Sequence, residues 1–267
     1  MLKFTNDHLI RRRICMFITS PQNRQIKHWK KLLTKKGRKQ SGTYLLEGVH
    51  LFEEAQKAGV ELCAAIFEEG KSFAIRQNVP QYTLPSALFS QLTETEQSQG
   101  VIVEAALPTW DLASLLKQSN RFLLLDSIQD PGNVGTMLRT AAAAGVDLVL
   151  LGKGTVDIGN SKVVRASMGA LFHLPVVEVD LLSSIATLKA AGVTIVGTTP
   201  HQGIYTYDYV FPEKVAIVLG NEGRGISDSV LAEIDQAVMV PMPGEAESYN
   251  VAVTAGMVLY ECIRQRR

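Results

Sequence analysis

The apolar positions of the chain change period more than once. Ile26, Trp29, Leu32 and Leu33 recur at helical spacing, with polar residues on the opposite side. Ser20 and Pro21 ahead of them read as an N-cap followed by a first-turn proline. Residues 44–46 then read as a short strand, 49–58 as a helix that Gly59 ends, and 62–67 as a strand. Further strands are predicted at 81–84 and 101–105. Together these elements form a small α/β unit that closes near Leu107-Pro108.

From Phe122 onward the alternation becomes regular. Apolar runs at 122–125, 147–151, 175–179, 193–196, 215–219 and 237–240 read as strands. Helical stretches lie between most of them, and a long helix is predicted over 249–264. Apolar strands alternating with helices predict a mostly parallel sheet covered on both faces. Ligands bind such sheets beyond the carboxyl ends of the strands, so the residues that follow each strand are where chemistry is sought. The chain therefore divides into 1–16, a dispensable extension, 17–107, a first α/β domain, and 108–267, a second. The junction between the domains is short and is no flexible tether.

Composition sharpens this picture in three places. At 267 residues, with hydrophobic residues making up 46%, the chain is large enough to bury real cores. No apolar run approaches the roughly 18 residues that cross a bilayer, so no membrane is expected. The Arg11-Arg12-Arg13 triplet lacks the apolar stretch of a secretory signal. Cys15, Cys63 and Cys262 are odd in number and scattered, which fits reduced thiols in the cytoplasm. The histidines show no ligand spacing, so no metal is expected.

The net charge of +1 is uninformative, but its distribution is not. Arg24, Lys27, Lys30, Lys31, Lys35, Lys36, Arg38 and Lys39 crowd one stretch that contains no acid. Such a basic end points to an anionic polymer, or else to a solvated helix face.

Three segments following strands combine Gly, Pro and Asn with charged residues. They are 126–135, running into a helix that carries Arg139, then 219–227, and 240–250. Glycine there permits positive φ and close backbone approach, although ordinary turns use the same residues. No Walker-type phosphate loop is present, and no strand runs into a dinucleotide-binding glycine fingerprint.

In order and spacing, these three segments resemble the three motifs of the TrmH/SpoU family of RNA 2′-O-ribose methyltransferases, within the SPOUT superfamily. The stretch 17–106 is similar to the substrate-binding domain of many members, an L30e-like fold. One departure is Tyr249, where the family usually carries leucine.

The resemblance implies a carboxyl-terminal domain tied in a trefoil knot, a homodimer, and S-adenosyl-L-methionine as cofactor. It places Thr198, Leu219, Gly220, Val240, Met242 and Tyr249 around the cofactor, with Gly220 allowing close backbone approach. It maps the main catalytic candidate onto Arg139, with Asn133, Glu222, Ser248 and Asn250 orienting substrate and loops. Arginine stays protonated at working pH, so Arg139 is expected to bind the adjacent phosphate and stabilise the forming alkoxide. Arg24, Lys27, Lys30, Lys31 and Lys35 are expected to contact RNA phosphates. The separate basic domain favours 23S ribosomal RNA as substrate. The alternatives are a transfer RNA ribose methyltransferase, which shares the same motifs, and a non-catalytic RNA-binding assembly factor.

Overall fold

The computed structural model describes residues 15–75, 78–95, 97–245 and 247–266. The extension expected at 1–16 lies outside these up to residue 14. Cys15 and Met16 belong to a short strand, β1 (Cys15–Phe17), which pairs with residues 81–83.

Two helices follow β1. The first, α1 (Arg24–Leu32), is capped by the Asn23 side chain, which accepts from the Gln25 amide. The expected cap, Ser20, instead closes a turn one step earlier, accepting from the Gln22 amide. Asn23 takes the cap because it directly precedes the periodic residues. The second helix, α2 (Lys35–Ser41), starts on the Thr34 hydroxyl and stops at Gly42, whose φ of 67° suits the left-handed end. The lysines of 35–39 therefore sit on a helix of their own.

The remaining elements of this half are β2 (Thr43–Glu47), α3 (Val49–Lys57), β3 (Leu62–Glu68), β4 (Gln81–Leu84), α4 (Ser86–Phe89) and β5 (Val101–Ala106). The sheet runs β1-β4-β3-β5-β2, with β5 antiparallel to both of its neighbours. Ile26, Trp29 and Leu32 pack on one face of it. The buried carboxylate of Glu104 accepts from Trp29 Nε1 at 3.0 Å and from the Thr43 hydroxyl at 2.8 Å, and lies 2.8 Å from His28 Nε2. This locks the inner side of α1 and leaves Arg24, Lys27, Lys30 and Lys31 exposed.

The second half contains α5 (Leu112–Gln118), β6 (Arg121–Leu125), α6 (Pro131–Ala143), β7 (Leu148–Leu151), α7 (Ser161–Ser167), β8 (Val176–Glu178), α8 (Leu181–Ala190) and β9 (Thr194–Thr198). It continues with β10 (Ile204–Tyr205), β11 (Val215–Leu219), α9 (Asp228–Leu231), β12 (Gln236–Met239) and α10 (Val251–Arg264). The sheet order is β10-β12-β9-β11-β6-β7-β8, and every pairing is parallel. All the strands therefore end on one rim. The strand β12 lies between β9 and β10, although both precede it in the chain. Among the described residues, no helix is long and apolar enough to cross a membrane.

The two halves share one apolar core, in which Tyr44, Leu46 and Val103 of the first sheet join Leu123, Val134, Val163 and Leu171 of the second. Within that core, α6 and α7 cross backbone to backbone at Gly135. A Cβ there would sit 2.5 Å from Ala166 Cβ and 2.6 Å from the Val163 carbonyl oxygen. Gly135→Ala should therefore cost about 1–3 kcal/mol by overpacking. Urea denaturation should show a lowered midpoint, and an unchanged midpoint would mean the crossing can relax freely.

Candidate active site

Three loops meet at the rim formed by the strand ends. The first follows β6. Asp126 is buried, and its Oδ2 accepts from the Ser227 amide at 2.8 Å. Ser127 adopts a positive φ of 59° as the chain turns outward. Asp130 then caps α6 by accepting from the Asn133 amide, and Pro131 occupies the first turn.

The second loop follows β11. It folds back on itself through paired backbone bonds between Asn221 and Gly225, each 2.9 Å. A Cβ on Gly220 would lie 2.0 Å from the Ile226 nitrogen. The glycine therefore has an internal reason as well as the expected one: its own loop crosses over it.

The third loop follows β12 and ends at Asn250, which caps α10 by accepting from the amides of Ala252 and Val253.

A polar staple joins the three loops. Glu222 of the second loop accepts from the backbone amides of Gln129 and Asp130 at 3.2 and 3.1 Å. It also accepts from Asn133 Nδ2 at 3.1 Å. Asn133 Oδ1 in turn accepts from Asn250 Nδ2 at 3.0 Å. Partial burial raises the Glu222 pKa, but hydrogen bonds from its own amide, Asn133, Asp130 and Gln129 outweigh this and hold it below the ordinary carboxylate value.

Beside the staple lies a cleft of about 470 Å³. All six residues expected around a cofactor line it: Thr198, Leu219, Gly220, Val240, Met242 and Tyr249. Glu222, Ser248 and Asn250 line it as well. Its apolar walls include Val238 and Val258, and Tyr249 closes one side with its hydroxyl 3.3 Å from the Pro241 carbonyl oxygen. Asn133 is one hydrogen bond removed from the cleft. Arg139 is not part of the cleft lining. It is exposed on α6, and among the described residues its side chain has no hydrogen bond or ion pair.

Sequence reasoning passed over His201, Asn221, Arg224 and Thr254, which also line the cleft. Two signals could have found them. His201 follows the end of β9 by three residues, in the position where ligands bind, and Thr254 stands one helical turn beyond Asn250. The expected RNA contacts Arg24, Lys27, Lys30, Lys31 and Lys35 are all exposed on α1 and α2, away from the cleft.

Residues 120–260 match the SpoU rRNA Methylase family, and residues 23–103 match the MRM3-like substrate binding domain. The chain is 41% identical over 245 residues to the 23S rRNA (guanosine(2553)-2'-O)-methyltransferase RlmP of Bacillus subtilis, spanning 91% of this chain and 97% of that protein. It is similar to the crystal structure of the SpoU methyltransferase AviRb from Streptomyces viridochromogenes in complex with AdoMet. That match has a TM-score of 0.84 and 28% identity over 92% of this chain and 98% of the other. The AdoMet-bound rRNA methyltransferase from Sinorhizobium meliloti matches with a TM-score of 0.83 and 25% identity, covering 94% and 98%.

A carboxylate whose pKa is lowered by folding stabilises the fold above its ordinary range, and that contribution is lost as pH falls through the lowered value. The Asn133 side-chain amide resonances should therefore shift with a midpoint below the ordinary glutamate value. In Glu222→Gln the titration should vanish and the loop amides should exchange faster, because a carboxamide offers one acceptor oxygen where the carboxylate offers two. A midpoint at or above the ordinary value would show that the staple does not hold the charge.

Proposed function

Because the chain belongs to the SpoU rRNA Methylase family, we propose that it transfers a methyl group from S-adenosylmethionine to a ribose 2′-hydroxyl of 23S ribosomal RNA. The observation that carries this reading is the Glu222–Asn133–Asn250 staple, which gathers three loops around one ligand-sized cleft. Small-molecule sites of about 300–1,000 Å³ with apolar walls and few placed polar groups are the usual kind. Leu219, Val240, Met242 and Val258 offer apolar surface for an adenine and the methylenes of a methionine chain, and Thr198 and Gly220 line the same cleft. When bound, the sulfonium supplies an electrophilic methyl.

The chain's own residues would do the remaining work. The attacking oxygen must be aligned and its developing charge stabilised. Arg139 suits the second task as a permanent cation that grips the neighbouring phosphate. Asn133, Glu222, Ser248 and Asn250 orient the loops and the ribose through hydrogen bonds.

Arg139 lies outside the cleft of its own chain, which supports a homodimer in which it serves the partner's cleft. Val253, Met257 and Tyr260 support this too, as an exposed stripe along one side of α10, with Tyr260 65% exposed. A trefoil knot is our reading of the carboxyl-terminal domain 108–267. It is supported by the entry of β12 between two strands laid down earlier. The hydrogen bonds that tie Gln265 and Arg266 to residues 209–213, donated by both side chains and by the Phe211 amide, support it as well. Domain 17–107 is read as the L30e-like RNA-binding unit, and the free cysteines suit the cytoplasm.

Arg139→Ala should bind cofactor normally by calorimetry and lose most methyl transfer, and Arg139→Lys should not restore it. Mixing Arg139→Ala chains with Met242→Trp chains, whose cleft is filled, should recover activity by subunit exchange. Sedimentation as a monomer would overturn the shared site.

Replacing Lys27, Lys30, Lys31 and Lys35 by glutamine should weaken RNA binding and reduce the log–log salt slope by about 0.7–0.9 per lost phosphate contact. Cofactor affinity should stay the same. A wild-type slope would make the basic face merely solvated.

A further inference from the structure

One base of the amino-terminal stretch does not face solvent. Arg38 of α2 is 5% exposed and reaches into the second half of the molecule. Its Nε and Nη2 donate to Asp157 Oδ1 and Oδ2 at 3.0 and 2.9 Å, a two-pronged pair, while Nη1 donates to the Leu32 carbonyl at 2.8 Å. The contact is closely built. A Cβ on Gly159 would lie 2.9 Å from Arg38 Cδ, so the loop has no room there for a side chain.

Asp157 belongs to the loop that follows β7, and this loop is bonded along its length to the segment entering the active site. Thr155 Oγ1 donates to the Leu125 carbonyl at 3.0 Å and accepts from the Ile128 amide at 3.3 Å. The Val156 amide donates to the Ile128 carbonyl at 3.0 Å, and the Ser127 hydroxyl donates to the Lys153 carbonyl at 3.0 Å. The next two amides, of Gln129 and Asp130, are those that hold Glu222. A continuous set of bonds thus runs from the helix bearing Lys35 and Lys39 to the staple of the active site. Arg165 of α7 makes a second crossing, 3.7 Å from Glu47 of β2.

We propose that Arg38 is a positioning residue for methyl transfer: paired with Asp157, it holds the RNA-binding face of α1 and α2 in fixed register with the Gln129–Asn133 loop, and so decides which ribose reaches the cleft. The proposal rests on the functional reading above. RNA bound along a basic face is held through phosphates, which carry no sequence information. Selection of one ribose then depends on the distance and angle between that face and the reacting atoms. A displacement of about 1 Å at such a site can cost about 100-fold in rate.

The test replaces the pair by apolar residues, Arg38→Met with Asp157→Leu, so that no unpaired charge is buried. Cofactor affinity and RNA affinity should stay near wild type. The kcat on 23S ribosomal RNA should fall by about 10–100-fold with KM little changed. Mapping of the product should show methylation spread to neighbouring riboses, which a merely structural loss would not cause. Without RNA present, the amides of 128–130 should exchange faster with solvent. If the double variant fails to fold, Arg38→Lys carries the test, because it keeps the charge and loses the fork. It should show the same loss of site fidelity to a smaller degree. Wild-type kcat with methylation at a single ribose overturns the proposal. Failure of the functional reading would appear separately, as a wild-type protein that methylates no ribosomal RNA, and amide exchange would then decide whether Arg38 braces the loop.

Discussion

A carboxylate surrounded by donors is the constraint on which the rest of the site depends. Glu222 accepts from three donors at the start of α6, the amides of Gln129 and Asp130 and the side chain of Asn133. These bonds hold the loop after β11 against the loop after β6. Asn133 then has one oxygen left, and Asn250 fills it. Three loops far apart in sequence are thereby fixed to one another. The cleft is the space they leave between them, and its shape follows from satisfying polar groups before any ligand is present.

The parallel sheet makes this meeting possible. With every pairing parallel, β6, β9, β11 and β12 all end on the same rim, and their loops converge without special devices. Close backbone crossings then set the distances. Gly135 brings α6 against α7, and Gly220 lets its own loop close. These glycines matter for what they leave out, and neither touches a charged group of the staple.

Much of this was legible in the sequence. The buried strands β6, β7 and β11 are continuous apolar runs of Leu, Val and Ile, and each falls within a residue or so of its expected place. Leu219, Gly220, Val240, Met242 and Tyr249 were legible through two of the motif segments, and Thr198 through its place at the end of β9. Other features were not, for physical reasons. Helix α2 has no apolar face to reveal it, since Lys-Lys-Gly-Arg-Lys-Gln-Ser is held by its Thr34 cap and Gly42 end. Strand β10 is two residues long and gains its pairing only from β12. Arg38 counted as one more surface base, because its partner Asp157 is 119 positions away. Arg139 was expected among the catalytic residues, and it stands exposed on α6 outside the lining of its own chain's cleft.

The place of β12 has a consequence for how the molecule is made. The edge it joins does not exist until β9 is in position, β10 can pair only once β12 has arrived, and α10, which carries the Asn250 end of the staple, comes later still. Contacts this distant in sequence form slowly, because chain closure must come before its reward. Neither half is finished alone, because Tyr44, Leu46 and Val103 stay uncovered until Leu123, Val134 and Val163 arrive. The cleft is completed last, by the wall that Asn250 and Val258 supply. Loss of the last few dozen residues would therefore remove that wall and the final link of the staple together.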